Sequence, residues 1–178
     1  MTVTVRPATI VDARAIATVR VRSWRAAYEG LIDQAVLDHM DIDREAARRA
    51  ELWEEYHADP RGGDLVAEGE GAVVGWAAYG RSLDDDLPAN GQLYAIYALP
   101  EEWSSGIGHA LLTDAERRLI EAGFDLAHLW VLDGNTRAAS FYERHGWRED
   151  GAEKDDDRLI GGANPQTLHE RRRVNRLR

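Results

Sequence analysis

The sequence has no cysteine in its 178 residues. Disulfides, thiolate nucleophiles, iron–sulfur ligation and cysteine-based zinc sites are therefore excluded together. Lysine is almost missing: Lys154 is the single lysine among 22 basic residues, a skew that reads as coding bias rather than mechanism. Long apolar runs are missing too. Nothing approaches the roughly 18 consecutive apolar residues of a membrane span, and residues 1–7 lack the apolar region of a signal peptide, so the expected location is cytoplasmic and off the membrane. Positive charge is in deficit. The balance of 22 basic and 32 acidic residues is −10, which argues against nucleic acid or an anionic membrane as partner, since both select clustered positive charge. The six histidines show no His-x-x-x-His spacing, so no metal is expected.

What is present describes a globular chain: 44% apolar and 30% charged residues, in a length that fits one domain over residues 1–178. Alternation over 2–6, stopped by Pro7, predicts a first strand. Asp12 is placed to cap a helix carrying Ile16, Val19 and Trp24 as far as Tyr28. A second helical stretch covers 33–56, with a break near Met40 and Asp41. Segments 65–67 and 72–79 around Glu68-Gly69-Glu70-Gly71 predict a β-hairpin. Residues 82–91 predict a loop containing Asp84-Asp85-Asp86, and 92–99 a strand stopped by Pro100. The most regular helix is 106–122, where Ile107, Leu111, Ala115 and Leu119 recur every four residues and Gly123 stands at the C-terminal cap. A strand over 126–132, a helix over 135–145 and two closing strands, 147–151 and 167–174, around Asp155-Asp156-Asp157 complete a mixed α/β (α+β) pattern without internal repeat.

Two segments carry candidate chemistry. The first joins the strand ending at Leu99 to the helix at Gly106: Leu99-Pro100-Glu101-Glu102-Trp103-Ser104-Ser105-Gly106-Ile107-Gly108-His109. Unpaired amides and the positive end of the helix dipole attract phosphate there, the glycines permit close approach, and the serines add donors. Alone, this is as well read as a simple turn. Neither a P-loop nor a dinucleotide fingerprint is completed. In the second segment Asn135 and Tyr142 stand seven apart, two turns along one helix face. They suit binding and protonation, but alone the pair is better read as an N-cap and a half-buried aromatic.

Taken together, the segments resemble the GNAT-type N-acetyltransferase superfamily. The likeness runs from Leu93 to Trp147 in order and spacing, and more weakly through Trp24, Tyr28, Gly30 and Leu31. The resemblance implies a mixed, mostly antiparallel sheet flanked by helices, with splayed central strands. It also implies acetyl-CoA as acyl donor. Backbone groups near Ile96, Tyr97 and Ala98 would meet the acetyl carbonyl and pantetheine, and amides across Ser104, Ser105, Gly106, Ile107, Gly108 and His109 would hold the pyrophosphate. Asn135 would hydrogen-bond the cofactor, and Tyr142 would lie by the sulfur as the catalytic residue. Two positions depart from the family pattern: Trp103 stands where Arg or Gln is usual, which removes a cation, and Ser104 where Gly is common.

The reaction so implied is direct attack of a neutral amine, from a small molecule or a peptide, without a covalent enzyme intermediate. A tyrosine is a weaker acid than a thiol, so a late hydrogen bond from Tyr142 is expected rather than early protonation. Trp24, Tyr28 and Tyr94 are expected to line the acceptor side. No general base is identified. The acidic runs at 84–86 and 155–157 read as solvated loops, or as attractors of a cationic acceptor. Arg171-Arg172-Arg173 reads as a solvated edge strand. The alternative to catalysis is a non-catalytic acyl-CoA-binding or sensing module on the same fold. A homodimer is an expectation by analogy with the family.

Overall fold

The computed structural model describes residues 3–156 and 166–177. Its strands are β1 (Val3–Pro7), β2 (Gly63–Gly69), β3 (Ala72–Arg81), β4 (Gly91–Ala98), β5 (Leu126–Leu132), β6 (Arg148–Asp156) and β7 (Leu168–Arg176). They form one seven-stranded sheet in the order β1-β2-β3-β4-β5-β7-β6. Every neighbouring pair is antiparallel except β4 and β5, which are parallel. The helices are α1 (Ala13–Ala27), α2 (Gln34–His39), α3 (Ile42–Glu51), α4 (Trp53–Tyr56), α5 (Ile107–Glu121) and α6 (Thr136–Arg144). The expected mixed, mostly antiparallel sheet flanked by helices is what forms. Thr2, expected at the start of the first strand, and Asp157, expected in an acidic loop, lie outside the described residues.

Local chemistry explains the elements. Glu70 (φ 51°) and Gly71 (φ 83°) make the two-residue turn of the β2–β3 hairpin, where two positive φ values match the strand twist. The helical stretch expected over 33–56 breaks near Met40 and Asp41 as expected, Asp33 and Asp41 capping α2 and α3 by accepting from Ala35 N–H and Arg44 N–H, and it breaks once more at Leu52, before α4. Along α5, Ile107, Leu111, Leu112, Ala115 and Leu119 are buried against one face of the sheet. A Cβ at Gly75 would come within 2.6 Å of Ile107 and 2.9 Å of Leu111, so the absence of a side chain lets α5 sit this close. The next residue, Trp76, points to the opposite face, where α1 and α3 lie.

Two irregularities in β4 open the sheet beside β5. Ala78 pairs with Ala95 but Tyr79 pairs with Leu93, so Tyr94 is the extra residue of a bulge. The parallel pairing of β4 with β5 covers only Gly91–Ala127 and Gln92–His128. Beyond that point the strands diverge and leave a wedge.

Three sequence expectations are corrected. Asp155 and Asp156 belong to β6, whose pairing with β7 resumes at Glu153 after an irregularity following Glu149. The strand β7 is not an edge, because it lies between β5 and β6. Two of the three arginines expected to be solvated are not: Arg172 (7% exposed) binds Asp86 and Asp150, and Arg173 (3%) binds Glu143 and Glu149, while Arg171 stays exposed as expected. The acidic run at 84–86 supplies part of this counter-charge. Asp84 accepts from the indole of Trp130 and lies 3.1 Å from His128, and the Arg172 guanidinium holds the Asp86 carboxyl below its ordinary pKa.

Candidate functional site

A cavity of about 1070 Å³ runs along the sheet face covered by α1 and opens at the β4–β5 wedge. Among the residues expected to bind the donor, to act on the sulfur or to line the acceptor side, only Ser105 and Ile107 do not line it. Ile107 is fully buried in the core, so only its backbone is available. The Ser105 hydroxyl donates to Glu102 C=O at 2.7 Å rather than facing the cavity.

The wedge is built by strand alternation. Leu99 N–H donates to Val74 C=O, and the register continues as Tyr97–Trp76. In an antiparallel pair the hydrogen-bonded residues alternate with residues whose N–H and C=O point the other way. Ile96 and Ala98 therefore direct their backbone groups toward β5, into the wedge. Tyr97, expected to offer its backbone, spends it on β3 and contributes its side chain instead. The Ala98 carbonyl is not free either, because it accepts from Ser23 Oγ at 2.8 Å and from Trp103 Nε1 at 3.0 Å. Ile96 N–H, Ile96 C=O and Ala98 N–H remain.

The loop before α5 turns through two left-handed residues, Ser104 (φ 67°) and Gly106 (φ 95°). It leaves the amides of Ile107, Gly108 and His109 without a partner among the described residues. A left-handed serine is strained, and such strain persists only where the surroundings impose it. Trp103 anchors the loop through its bond to Ala98. Over its ring lies the guanidinium of Arg137, 3.3 Å from the ring centre. Burial draws Arg137's pKa down, yet arginine starts so high that it stays cationic. A cation from α6 thus lies at Trp103, where the sequence itself offers none, and sequence reasoning missed it. His109 Nδ1 lies 2.9 Å from His145 Nε2, and His145 Nδ1 lies 2.8 Å from Phe141 C=O. A carbonyl only accepts, so His145 carries its proton on Nδ1 and, when neutral, accepts from His109.

Asn135 is the N-cap of α6, its Oδ1 accepting from Ala138 N–H at 3.2 Å. The N-cap reading is what the structure shows, and the residue also lines the cavity. Tyr142 is 8% exposed, packed edge-on against Phe141 and Trp147. Desolvation, reinforced by Tyr97, pushes its hydroxyl far above the ordinary tyrosine value. Burial, reinforced by Tyr97, pushes the Tyr28 hydroxyl up as well. Trp24 stacks edge-on with Tyr28 and tilts against Tyr97. Tyr94, on the bulge, donates to Arg81 C=O, and burial raises it to about 12.

The site contains several neutral, acid-weak hydroxyls, a strip of free backbone and a cationic helix entrance. Among the described residues, no group of three His, Cys, Asp or Glu side chains could hold a metal ion, and no helix is long and apolar enough to cross a membrane.

The model of the acetyltransferase (GNAT) family matches residues 24–147. An uncharacterised N-acetyltransferase of Bacillus subtilis, YuaI, is 33% identical over 144 residues, which cover 80% of this chain and 79% of that protein. A mycothiol acetyltransferase of Streptomyces griseus is 33% identical over 123 residues, 69% of this chain but only 36% of that longer protein. Among solved structures, the PaiA N-acetyltransferase of Thermoplasma acidophilum in complex with coenzyme A superposes with a TM-score of 0.71. It shares 20% identity, and the match covers 96% of this chain and 98% of that one.

Proposed function

Because the chain belongs to the GNAT acetyltransferase family, we propose that it moves an acetyl group from acetyl-CoA to a primary amine of a small molecule or peptide. The observation that carries this reading is the shared cavity: Ile96 and Ala98 on the wedge, Gly108 and His109 with their free amides, and Tyr142 all border one space.

The residues present fit the donor. Amides without a partner among the described residues, at a helix N-terminus, beside Arg137, suit a pyrophosphate. A strand edge with unpaired N–H and C=O groups suits an amide-containing arm laid alongside it. When bound, acetyl-CoA supplies an activated thioester carbonyl. The Ile96 or Ala98 N–H would be the donor available to its carbonyl oxygen, and such preorganised donors contribute about 3–4 kcal/mol each. Tyr142 cannot ionise readily in its dry setting, so it acts as a hydrogen-bond donor to sulfur. Asn135 offers its NH₂ group to the bound chain.

Calorimetric titration with acetyl-CoA, with ATP and NAD as controls, tests the first half. Micromolar-range binding of acetyl-CoA alone is expected. Thiol release across a panel of amines tests the second. Binding without release from any amine would identify a sensor rather than an enzyme, and tight ATP or NAD binding in place of acetyl-CoA would overturn the reading.

A further inference from the structure

Away from the wedge, the same cavity is lined by two arginines from different helices, Arg20 of α1 and Arg49 of α3. Arg49 Cζ lies 4.5 Å from the centre of the Trp76 ring, and that ring stacks on Tyr97 at 5.9 Å. Arg20 Cζ lies 5.1 Å from the centre of the Trp24 ring, which tilts against Tyr97 at 6.5 Å. Each guanidinium is thus one indole removed from Tyr97, the residue between Ile96 and Ala98. Glu45 and Arg49 are four apart on α3 and share a face. Arg20 bonds Glu45, which brings the two cations to one place.

Most of their hydrogen-bonding capacity is unused. The Arg49 side chain is 15% exposed and that of Arg20 22%. Each makes a single hydrogen bond among the described residues, Arg49 to Asp64 at 2.9 Å and Arg20 to Glu45. A guanidinium carries five N–H donors, and groups this far buried normally fill them. The counter-charge is divided as well. Asp64 also accepts from Trp76 Nε1 at 2.8 Å and lies 3.3 Å from His57 Nε2. Burial draws the Arg49 pKa down, opposed by Asp64 and assisted by the Arg20 charge, yet arginine starts so high that it stays cationic. The acidic run at 84–86 does not offset this: Asp84 and Asp86 are committed to Arg172, and none of the three residues lines the cavity.

We propose that Arg49 and Arg20 receive a carboxylate on the acceptor, so that the amine acetylated is an amino carboxylate rather than a simple or polycationic amine. This deepens the acetyl-transfer reading above and rests on it. The two oxygens of a carboxylate match the parallel N–H groups of a guanidinium. The indoles of Trp76 and Trp24 keep water from one face of each cation, and a drier setting strengthens the pairing. With Asp64 on the same guanidinium, a monoanion suits the position better than a dianionic phosphate. Because an indole separates each cation from Tyr97, the carboxylate stands several bonds from the nitrogen rather than on its neighbouring carbon.

The test measures thiol release with a homologous series of ω-amino carboxylates and with alkylamines of the same chain length. Wild type is compared with Arg49→Gln, Arg49→Lys and Arg20→Gln, and circular dichroism verifies the fold. At the best chain length, wild type should favour the carboxylate over its matched alkylamine by about tenfold or more in kcat/KM, mainly through KM. Arg49→Gln should erase most of that advantage. Arg49→Lys should keep part of it, since it retains the charge but not the fork, and Arg20→Gln should reduce it about threefold or more. A wild type that favours the carboxylate at no chain length overturns the proposal. So does an Arg49→Gln that slows both members of a pair equally, which would make Arg49 only the partner of Asp64. If Arg49→Gln does not fold, Arg49→Lys and Arg20→Gln decide, and the full wild-type advantage in both is fatal. A chain that binds acetyl-CoA but acetylates no amine defeats the transfer reading and this one together. Transfer without preference for a carboxylate defeats only the role of the two arginines.

Discussion

The guanidinium of Arg137 sits 3.3 Å from the centre of the Trp103 ring, joining the first turn of α6 to the loop that precedes α5. Trp103 is held from below by its indole bond to Ala98 C=O at 3.0 Å. The pair is a built unit in which the backbone of β4 positions the indole, and the indole orients a cation beside the open amides of α5. Stacking on an aromatic face is a geometry that arginine adopts and lysine reproduces poorly.

Arg137→Ala is therefore expected to weaken acetyl-CoA binding about tenfold, or about 1.4 kcal/mol, and to flatten its salt dependence. Arg137→Lys should recover only part of the affinity. Calorimetry at two ionic strengths checks this, and unchanged affinity in Arg137→Ala would remove Arg137 from the donor site.

Tyr142→Phe should lower turnover by about 10²–10⁴-fold with little change in acetyl-CoA affinity. Burial raises the Tyr142 pKa, so the hydroxyl keeps its proton up to and beyond the ordinary tyrosine value near 10. The wild-type pH–rate profile should accordingly show no alkaline decline below about pH 10 that is absent from Tyr142→Phe. Matched profiles differing only in height are the expected result. Equal turnover would exclude the residue from the chemistry.

Asp12 accepts from Arg6 Nη1 at 2.8 Å and from Thr9 N–H at 2.8 Å, and these partners, Arg6 foremost, hold its carboxyl at about 2. An unfolded aspartate titrates near 3.9. The contribution of the pair is thus complete above about pH 4 and fades as pH falls toward about 2. It should amount to about 1–2 kcal/mol, since Arg6 is partly solvated and its charge partly screened. Urea unfolding of wild type and Asp12→Asn should differ by that amount at neutral pH and converge in acid. A constant gap across pH would refute the linkage.

Gly75→Ala should be destabilising by about 1–3 kcal/mol, because its Cβ would stand 2.6 Å from Ile107 and 2.9 Å from Leu111. Ile107 opens α5, so relief of the clash moves the helix start whose amides border the cavity. Weaker acetyl-CoA binding should accompany the lower Tm. Loss of stability with undisturbed affinity would show that the core absorbs the strain before it reaches the loop.

The sequence by itself determined most of the elements and the residues that make up the candidate donor half of the site. Strand β5, the α5 stripe of Ile107, Leu111, Ala115 and Leu119, the Glu70-Gly71 turn and the Asn135–Tyr142 spacing all depend on residues within a few positions of one another. Periodicity and capping register such neighbours directly. What only the tertiary structure decided depends on partners distant in the chain. Strand order turned Arg171-Arg172-Arg173 from an expected solvated edge into part of an interior strand. There Arg172 is neutralised by Asp84, Asp86 and Asp150, and Arg173 by Glu143 and Glu149. Register gave the wedge to Ile96 and Ala98 and withdrew the Tyr97 backbone, because a one-residue shift reverses where every N–H points. The Ala98 carbonyl was closed by Ser23 and Trp103, and Arg137 came from α6 to lie over the Trp103 ring. None of these leaves a mark in local sequence, because pairing across a sheet or between a helix and a loop is set by packing of the whole chain.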